Sequence, residues 1–434
     1  MRGLRSFLVL LVVAAALGGY LYYDSKRPQG DDKKQEKVFA DAQPDKIDQI
    51  TVKSDKGETT TATKQGDRWQ QTKPAAVPAD EAEISGITSN LASLEVQRVV
   101  EEQPKDLKAF GLDPARIEVG FRQGGKDHTL LIGGKTPTGG DLYARVPDKP
   151  RVFIVASYLE TTFNKSPFDL RDKTILKFDR DKTDHFEVET ADRTLKIAKQ
   201  GADWRITAPV DARADFNMIE GILGRLNSTP MKAIAANDAD ANALKDYGFD
   251  KPVITVHVGA GSSQATLAIG KDAAPGTAYA RDLSRPMVFT VETALLDELK
   301  RPTDDLRVKD LFDARAFNTT RLEIVRGGQT MTFEKDKDAW KQIAPAAKAA
   351  DAAKIDAVLA ALTGTRATGF VETAPALDTP EITASLKFDE NKQEKVTFAR
   401  KGTDAFARRQ GDKGAAKIDA AALDVISKAI DALK

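Results

Sequence analysis

WQQTKPAAVPADEAEISGITSNL, residues 69–91, is the stretch whose reading decides the fold. It is a ladder that occurs three times. The chain has three tryptophans, Trp69, Trp204 and Trp340, separated by 135 (204 − 69) and 136 (340 − 204) residues. A proline follows each at the same distance: Pro74, Pro209, Pro345. Then come an aspartate (Asp80, Asp215, Asp351) and an apolar series, Ile84/Ile87/Leu91, Ile219/Ile222/Leu226 and Ile355/Val358/Leu362. Chance does not hold so many positions in register, so the chain is a tandem repeat. The spacing predicts a strand carrying the Trp, a proline stop, an aspartate N-cap and a helix with one apolar stripe.

Working outward, each copy surrounds this ladder with short β-rich segments. In the first copy they are RIEVGF (116–121), HTLLIG (128–133), DLYARV (141–146) and RVFIVA (151–156). Gly, Pro and Asp punctuate them, as in antiparallel sheets. Gly111-Leu-Asp-Pro114 and Gly248-Phe-Asp-Lys-Pro252 read as turns, and Ala376 replaces the glycine in the third copy. Asp169-Leu-Arg-Asp-Lys173 closes the first copy and Asp305-Leu-Arg-Val-Lys309 the second. The third lacks this signature where the chain ends, so the signature reads as a joint between copies. Its local reading is a helix start capped by Asp169 and Asp305. The fold class is therefore α+β, with repeats over 44–176, 177–316 and 317–434, each a mainly antiparallel sheet with one principal amphipathic helix.

The N-terminus differs. Phe7 to Tyr23 is an uncharged, mostly apolar run behind Arg2 and Arg5. At 1.5 Å per residue it spans about 25 Å, the short edge of a membrane helix. Residues 1–23 are expected to be an uncleaved signal anchor. A cleaved signal peptide, with Ala14 and Ala16 near the cut, is the rival. Residues 24–43 are polar and mixed in charge and read as a tether. This layout is that of an exported protein, with the bulk of the chain expected outside the cytoplasmic membrane.

Composition excludes several classes. The 434 residues hold 65 Lys+Arg against 65 Asp+Glu, so nothing argues for nucleic acid. No cysteine is present, which removes disulfides and thiolate chemistry. His128, His185 and His257 fall at unrelated repeat positions, without paired zinc-ligand spacing. No phosphate loop, dinucleotide fingerprint or nucleophile elbow occurs, so no catalytic residue, metal or cofactor is expected.

One pattern could bind. Tyr143-Ala-Arg145, Tyr279-Ala-Arg281 and Phe406-Ala-Arg408 recur in strands, where alternation puts aromatic and arginine on one face. Such rows could hold an anionic polymer or a partner's carboxylates. The structural alternative is an arginine lying over its own neighbours. The tryptophans could likewise stack on sugars or anchor the sheet, and the fixed proline and cap favour the anchor.

The order W-x4-P, aspartate, Ile/Leu helix, Gly-Leu/Phe-Asp-(x)-Pro, Ile-Gly-Gly-Lys, Tyr-Ala-Arg and Asp-Leu-Arg-x-Lys resembles the bacterial domain-of-unknown-function family 4340. The resemblance covers the chain beyond the tether. It implies an inner-membrane-anchored protein with an extracytoplasmic repeat region, often a companion of ABC-type transport systems related to gliding motility. It carries over no catalytic residues. The expected function is a non-catalytic accessory or scaffold, with a transporter permease as possible partner. The alternatives are a binding module for envelope polysaccharide or another anionic polymer, and an envelope hydrolase using paired carboxylates. The sequence sets no oligomeric state.

Overall fold

The computed structural model describes residues 36–337, 339–390 and 392–434. The expected membrane helix over 1–23 and the tether up to residue 35 lie outside them. Among the described residues no helix is long and apolar enough to cross a membrane. Two compact units form, one ending at Lys173 and one spanning Thr174–Lys434. The first holds repeat 1; the second holds repeats 2 and 3.

Every repeat is one nine-stranded antiparallel sheet with the same strand order. In repeat 1 the strands are β1 (Ile47–Lys53), β2 (Thr59–Gln65), β3 (Arg68–Lys73), β4 (Val77–Pro78), β5 (Arg98–Glu101), β6 (Ile117–Gln123), β7 (Lys126–Lys135), β8 (Asp141–Arg145) and β9 (Val152–Ala156). Their order across the sheet is β4-β3-β2-β1-β6-β7-β8-β9-β5. Helix α1 (Glu81–Ser93) follows one edge strand, β4, and precedes the other, β5. It therefore carries the chain across one sheet face. Ile84, Ile87 and Leu91 on α1 and Ile50, Val52, Val119, Leu130 and Ile132 on the strands form one buried core. Ile47 and Ile50 are three apart yet share the buried face, because a bulge between Ile47 and Gln49 shifts the register.

The ladder residues occupy equivalent places. Trp69, Trp204 and Trp340 are all buried. They stand opposite Lys64, Lys199 and Lys335 on the neighbouring strands. Each Trp carbonyl accepts from an alanine amide ten residues on: Ala79 (3.1 Å), Ala214 (3.0 Å) and Ala350 (3.2 Å). Pro74, Pro209 and Pro345 all follow cis peptide bonds. Asp80 caps α1 by accepting from the Ala82 and Glu83 amides, both at 3.1 Å. Asp215 and Asp351 accept from the Met218 (3.1 Å) and Ala353 (3.0 Å) amides of Phe216–Ser228 and Ala352–Gly364. Each satisfies a helix N–H that has no intrahelical acceptor.

Two expectations need correction. The polar stretch read as a tether to residue 43 packs from Glu36 onward. Val38 and Phe39 are buried in repeat 1, and Phe39 meets the Phe121 ring edge-on at 5.0 Å. Two aliphatic and aromatic side chains suffice to dock a segment that is otherwise polar. The Asp-Leu-Arg-x-Lys signature is not a helix start. Asp169 accepts from the Ser166 amide and hydroxyl, upstream of itself, and Asp305 lies inside the short 3-10 turn Thr303–Leu306. The residues after both run extended along the edge strand: Ala79 bridges Arg171 and Ala214 bridges Arg307. Leu170 and Leu306 are buried there.

Candidate functional site

The aromatic-Ala-Arg residues lie on equivalent strands, β8 of repeat 1, Thr277–Asp282 and Asp404–Arg409. In each copy the aromatic ring is covered by the connector that precedes β6 or its counterpart. Tyr143 meets Phe110 at 5.0 Å between ring centroids, and Tyr279 meets Tyr247 at 4.6 Å. Phe406 packs with Ala374, Leu377, Ala399 and Ala415. The arginines reach nearby carbonyls. Arg145 Nε donates to the Lys149 carbonyl (3.2 Å), an Arg281 guanidinium nitrogen to that of Arg285 (3.4 Å), and one of Arg408 to that of Ala374 (3.4 Å). Arg408 also lies 3.7 Å from Asp378. Aromatic and arginine of each copy thus both serve contacts within that copy.

The first glycine of Ile132-Gly-Gly-Lys135, matched by Gly270 of Ile269-Gly-Lys271 in repeat 2, has a steric cause in the same contact. A Cβ on Gly133 would sit 2.1 Å from the Phe110 carbonyl oxygen, and one on Gly270 2.1 Å from that of Tyr247. The connector turns back through Gly111 and Gly248, both with φ in the left-handed region. In the third copy Ala376 and Ala399 replace both sides of the contact, and no close approach of two glycines remains.

A network of ion pairs sits inside the second unit, where repeat 2 meets repeat 3. Arg213, on edge strand Ala212–Arg213, donates to Asp313 Oδ1 at 2.7 Å and to the Asp310 carbonyl at 2.9 Å. Arg409 donates to Asp313 Oδ2 at 2.9 Å and to Glu394 Oε1 at 2.5 Å. The other oxygen of Glu394 accepts from the Asp313 and Ala314 amides, at 2.9 and 3.1 Å. Arg315 and Arg366 each hold one oxygen of Asp310 at 2.8 Å. Arg307 stacks on the Phe370 ring, its guanidinium carbon 3.5 Å from the centroid.

Electrostatics follow from that geometry. Burial pushes the Glu394 carboxyl up, against the pull of the Ala314 amide and Arg409. Burial would raise Asp313 too, but Arg213 and Arg409 overcome it and hold that carboxyl below the ordinary range. Burial lowers the Arg307 guanidinium. Two carboxylates side by side are what acid–base hydrolysis needs. Here both are fixed by arginines and backbone amides. The adjoining cleft, lined by Arg213, Arg307, Phe370, Arg409 and Lys413, encloses only about 20 Å³, room for about one water. The arrangement binds one repeat to the next.

The repeat pattern could not reveal this cluster. Arg213 corresponds to Pro78 and Ala349 in the other copies, and Arg409 to Val146 and Asp282. The histidines are dispersed: His185 contacts Asp184 at 2.6 Å, His257 contacts Thr266 at 2.9 Å, and His128 stacks on Phe121. Among the described residues no group of His, Asp or Glu has the arrangement of a metal site.

A family model described as "Domain of unknown function (DUF4340)" matches residues 69–203 and 204–385, two adjacent copies. No curated protein matches. One similar solved structure is a DNA polymerase sliding clamp from Pseudomonas aeruginosa, crystallised with a ligand. It shares 9% identity over 88% of this chain and 93% of that chain, with a TM-score of 0.15, too low to carry an argument.

Proposed function

The chain belongs to the family described as Domain of unknown function DUF4340, and from that footing we propose that it is a non-catalytic accessory or scaffold protein. In this reading residues 1–23 anchor it in the inner membrane and the repeats stand in the periplasm. Its partner is the membrane part of an ABC-type transport system.

One observation supports the reading above others. The residues common to all three copies are used in holding up each copy. The tryptophans, cap aspartates and helix stripe are buried or bonded within it. The buried Glu394 and the more exposed Asp313 are likewise tied to Arg409 at the repeat junction. What remains for recognition is sheet edge and polar sheet face, surfaces that suit protein partners.

Affinity capture of the full-length chain from detergent-solubilised membranes tests this. Recovery of a permease and its ATPase is the expected result. Capture that returns no membrane protein, with the bait intact and folded, would overturn the proposal.

A further inference from the structure

Each repeat sheet has two edges, and among the described residues an extended strap lies along five of these six. On the incoming side all three copies are served. Lys37 bridges Glu95, and the Val96 amide donates to the Glu36 carbonyl at 2.8 Å. Thr174 bridges Pro230 in repeat 2, and Asp310 bridges Arg366 in repeat 3. A pair of apolar residues follows into each core: Val38 and Phe39, Ile175 and Leu176, Leu311 and Phe312, all buried.

On the outgoing side only two copies are served. In repeat 1 the Asp80 amide donates to the Leu170 carbonyl and the Asp172 amide to that of Pro78, both at 2.9 Å. In repeat 2 the Asp215 amide donates to Leu306 (2.8 Å) and the Val308 amide to Arg213 (3.1 Å). The corresponding groups of repeat 3 are the Asp351 amide and the Ala349 carbonyl. Among the described residues neither has a strap. Lys348, Ala349 and Asp351 are exposed, and Ala350 is half-exposed where Ala79 and Ala214 are buried.

We propose that the edge at Lys348–Asp351 docks an extended segment of a partner polypeptide, laid down as a further strap. The two internal straps define its chemistry: a leucine followed by basic residues, Leu170-Arg171 with Lys173 and Leu306-Arg307 with Lys309. The two lysines are used differently: Lys173 pairs with the cap Asp80 at 3.0 Å, while Lys309 lies 3.7 Å from Asp305 in its own strap. The feature the two straps share at the edge is the extended backbone with its buried leucine. This inference rests on the accessory reading and names the edge by which the partner is held.

The probe is a synthetic peptide of residues 303–309, TDDLRVK, titrated into the full-length chain by fluorescence anisotropy. Saturable one-to-one binding is expected. Asp351→Pro removes the outward N–H at a φ of −76°, which proline accepts, and should weaken binding about five- to tenfold, the worth of one backbone hydrogen bond. Asp351→Ala keeps the N–H and controls for the lost cap, so it should bind more tightly than Asp351→Pro at equal melting temperature. No saturable binding, or equal binding by the two variants, overturns the proposal. Self-association that Asp351→Pro abolishes would make the occupant a second copy and overturn the partner assignment. Peptide binding with no membrane partner captured sinks the accessory reading alone; capture without peptide binding sinks this edge alone.

Discussion

The guanidinium carbon of Arg307 lies 3.5 Å from the ring centroid of Phe370, and this contact joins the outgoing strap of repeat 2 to edge strand Ala367–Val371 of repeat 3. The arginine is largely buried, with an Nε that has no hydrogen-bond partner. The ring face compensates its charge there together with Asp304, whose Oδ1 accepts from a terminal nitrogen at 3.4 Å. Phe370→Leu keeps an apolar side chain and loses the quadrupole. It should destabilise the second unit by about 1 kcal/mol, read as a lower urea midpoint. Arg307→Lys should not preserve the wild-type midpoint, because an ammonium cannot stack as a planar group does.

Much of the fold was legible because the same physics had been written three times. Trp204, Asp215 and the Ile219–Leu226 stripe each predict their place from spacing alone, and the helix they predict is present. What escaped reading had no period. The two-residue edge strand Val77–Pro78 is too short to alternate, and the strap at Glu36–Phe39 hides two apolar residues in a charged segment. The signature at Asp305 looked like a cap because aspartate also closes turns, and the 3-10 turn it sits in precedes an extended strap. The aromatic-Ala-Arg rows were placed on the right strands. Their covering by Phe110, Tyr247 and Leu377 is long-range packing, which spacing does not encode.

The close approach at Gly133 and Gly270 gives a second prediction. Gly133→Ala and Gly270→Ala each drive a methyl into a carbonyl oxygen at 2.1 Å, with backbone on both sides. Each should cost about 1–3 kcal/mol in thermal or urea unfolding, the usual range for overpacking. Gly57→Ser is a poor control because of its positive φ, whereas Gly221→Ala, with open space around it, should be neutral or stabilising.

Acid should act through Asp313. Its folded carboxyl titrates below the ordinary value of 3.8, since Arg213 and Arg409 outweigh burial. That stabilisation is present above the unfolded value and is lost as pH falls toward the folded one. Glu394 has the opposite sign: burial raises it, so ionising it costs stability as pH rises past its unfolded value. Asp313→Asn removes the first effect, and with it Asp313's own upward push on Glu394, leaving burial as the main cause there. Between about pH 5 and pH 3 the variant should lose less stability than the wild type, measured as urea midpoints at constant salt. Equal losses would show that the Arg213–Asp313–Arg409 cluster is not formed.

Amide hydrogen exchange at the three cap aspartates tests most directly whether the copies are one unit joined by straps. The amides of Asp80 and Asp215 donate to Leu170 and Leu306 and should be strongly protected, while that of Asp351, at the same place in the third copy, should exchange quickly. Comparable protection at all three, or none at Asp80 and Asp215, would contradict the account.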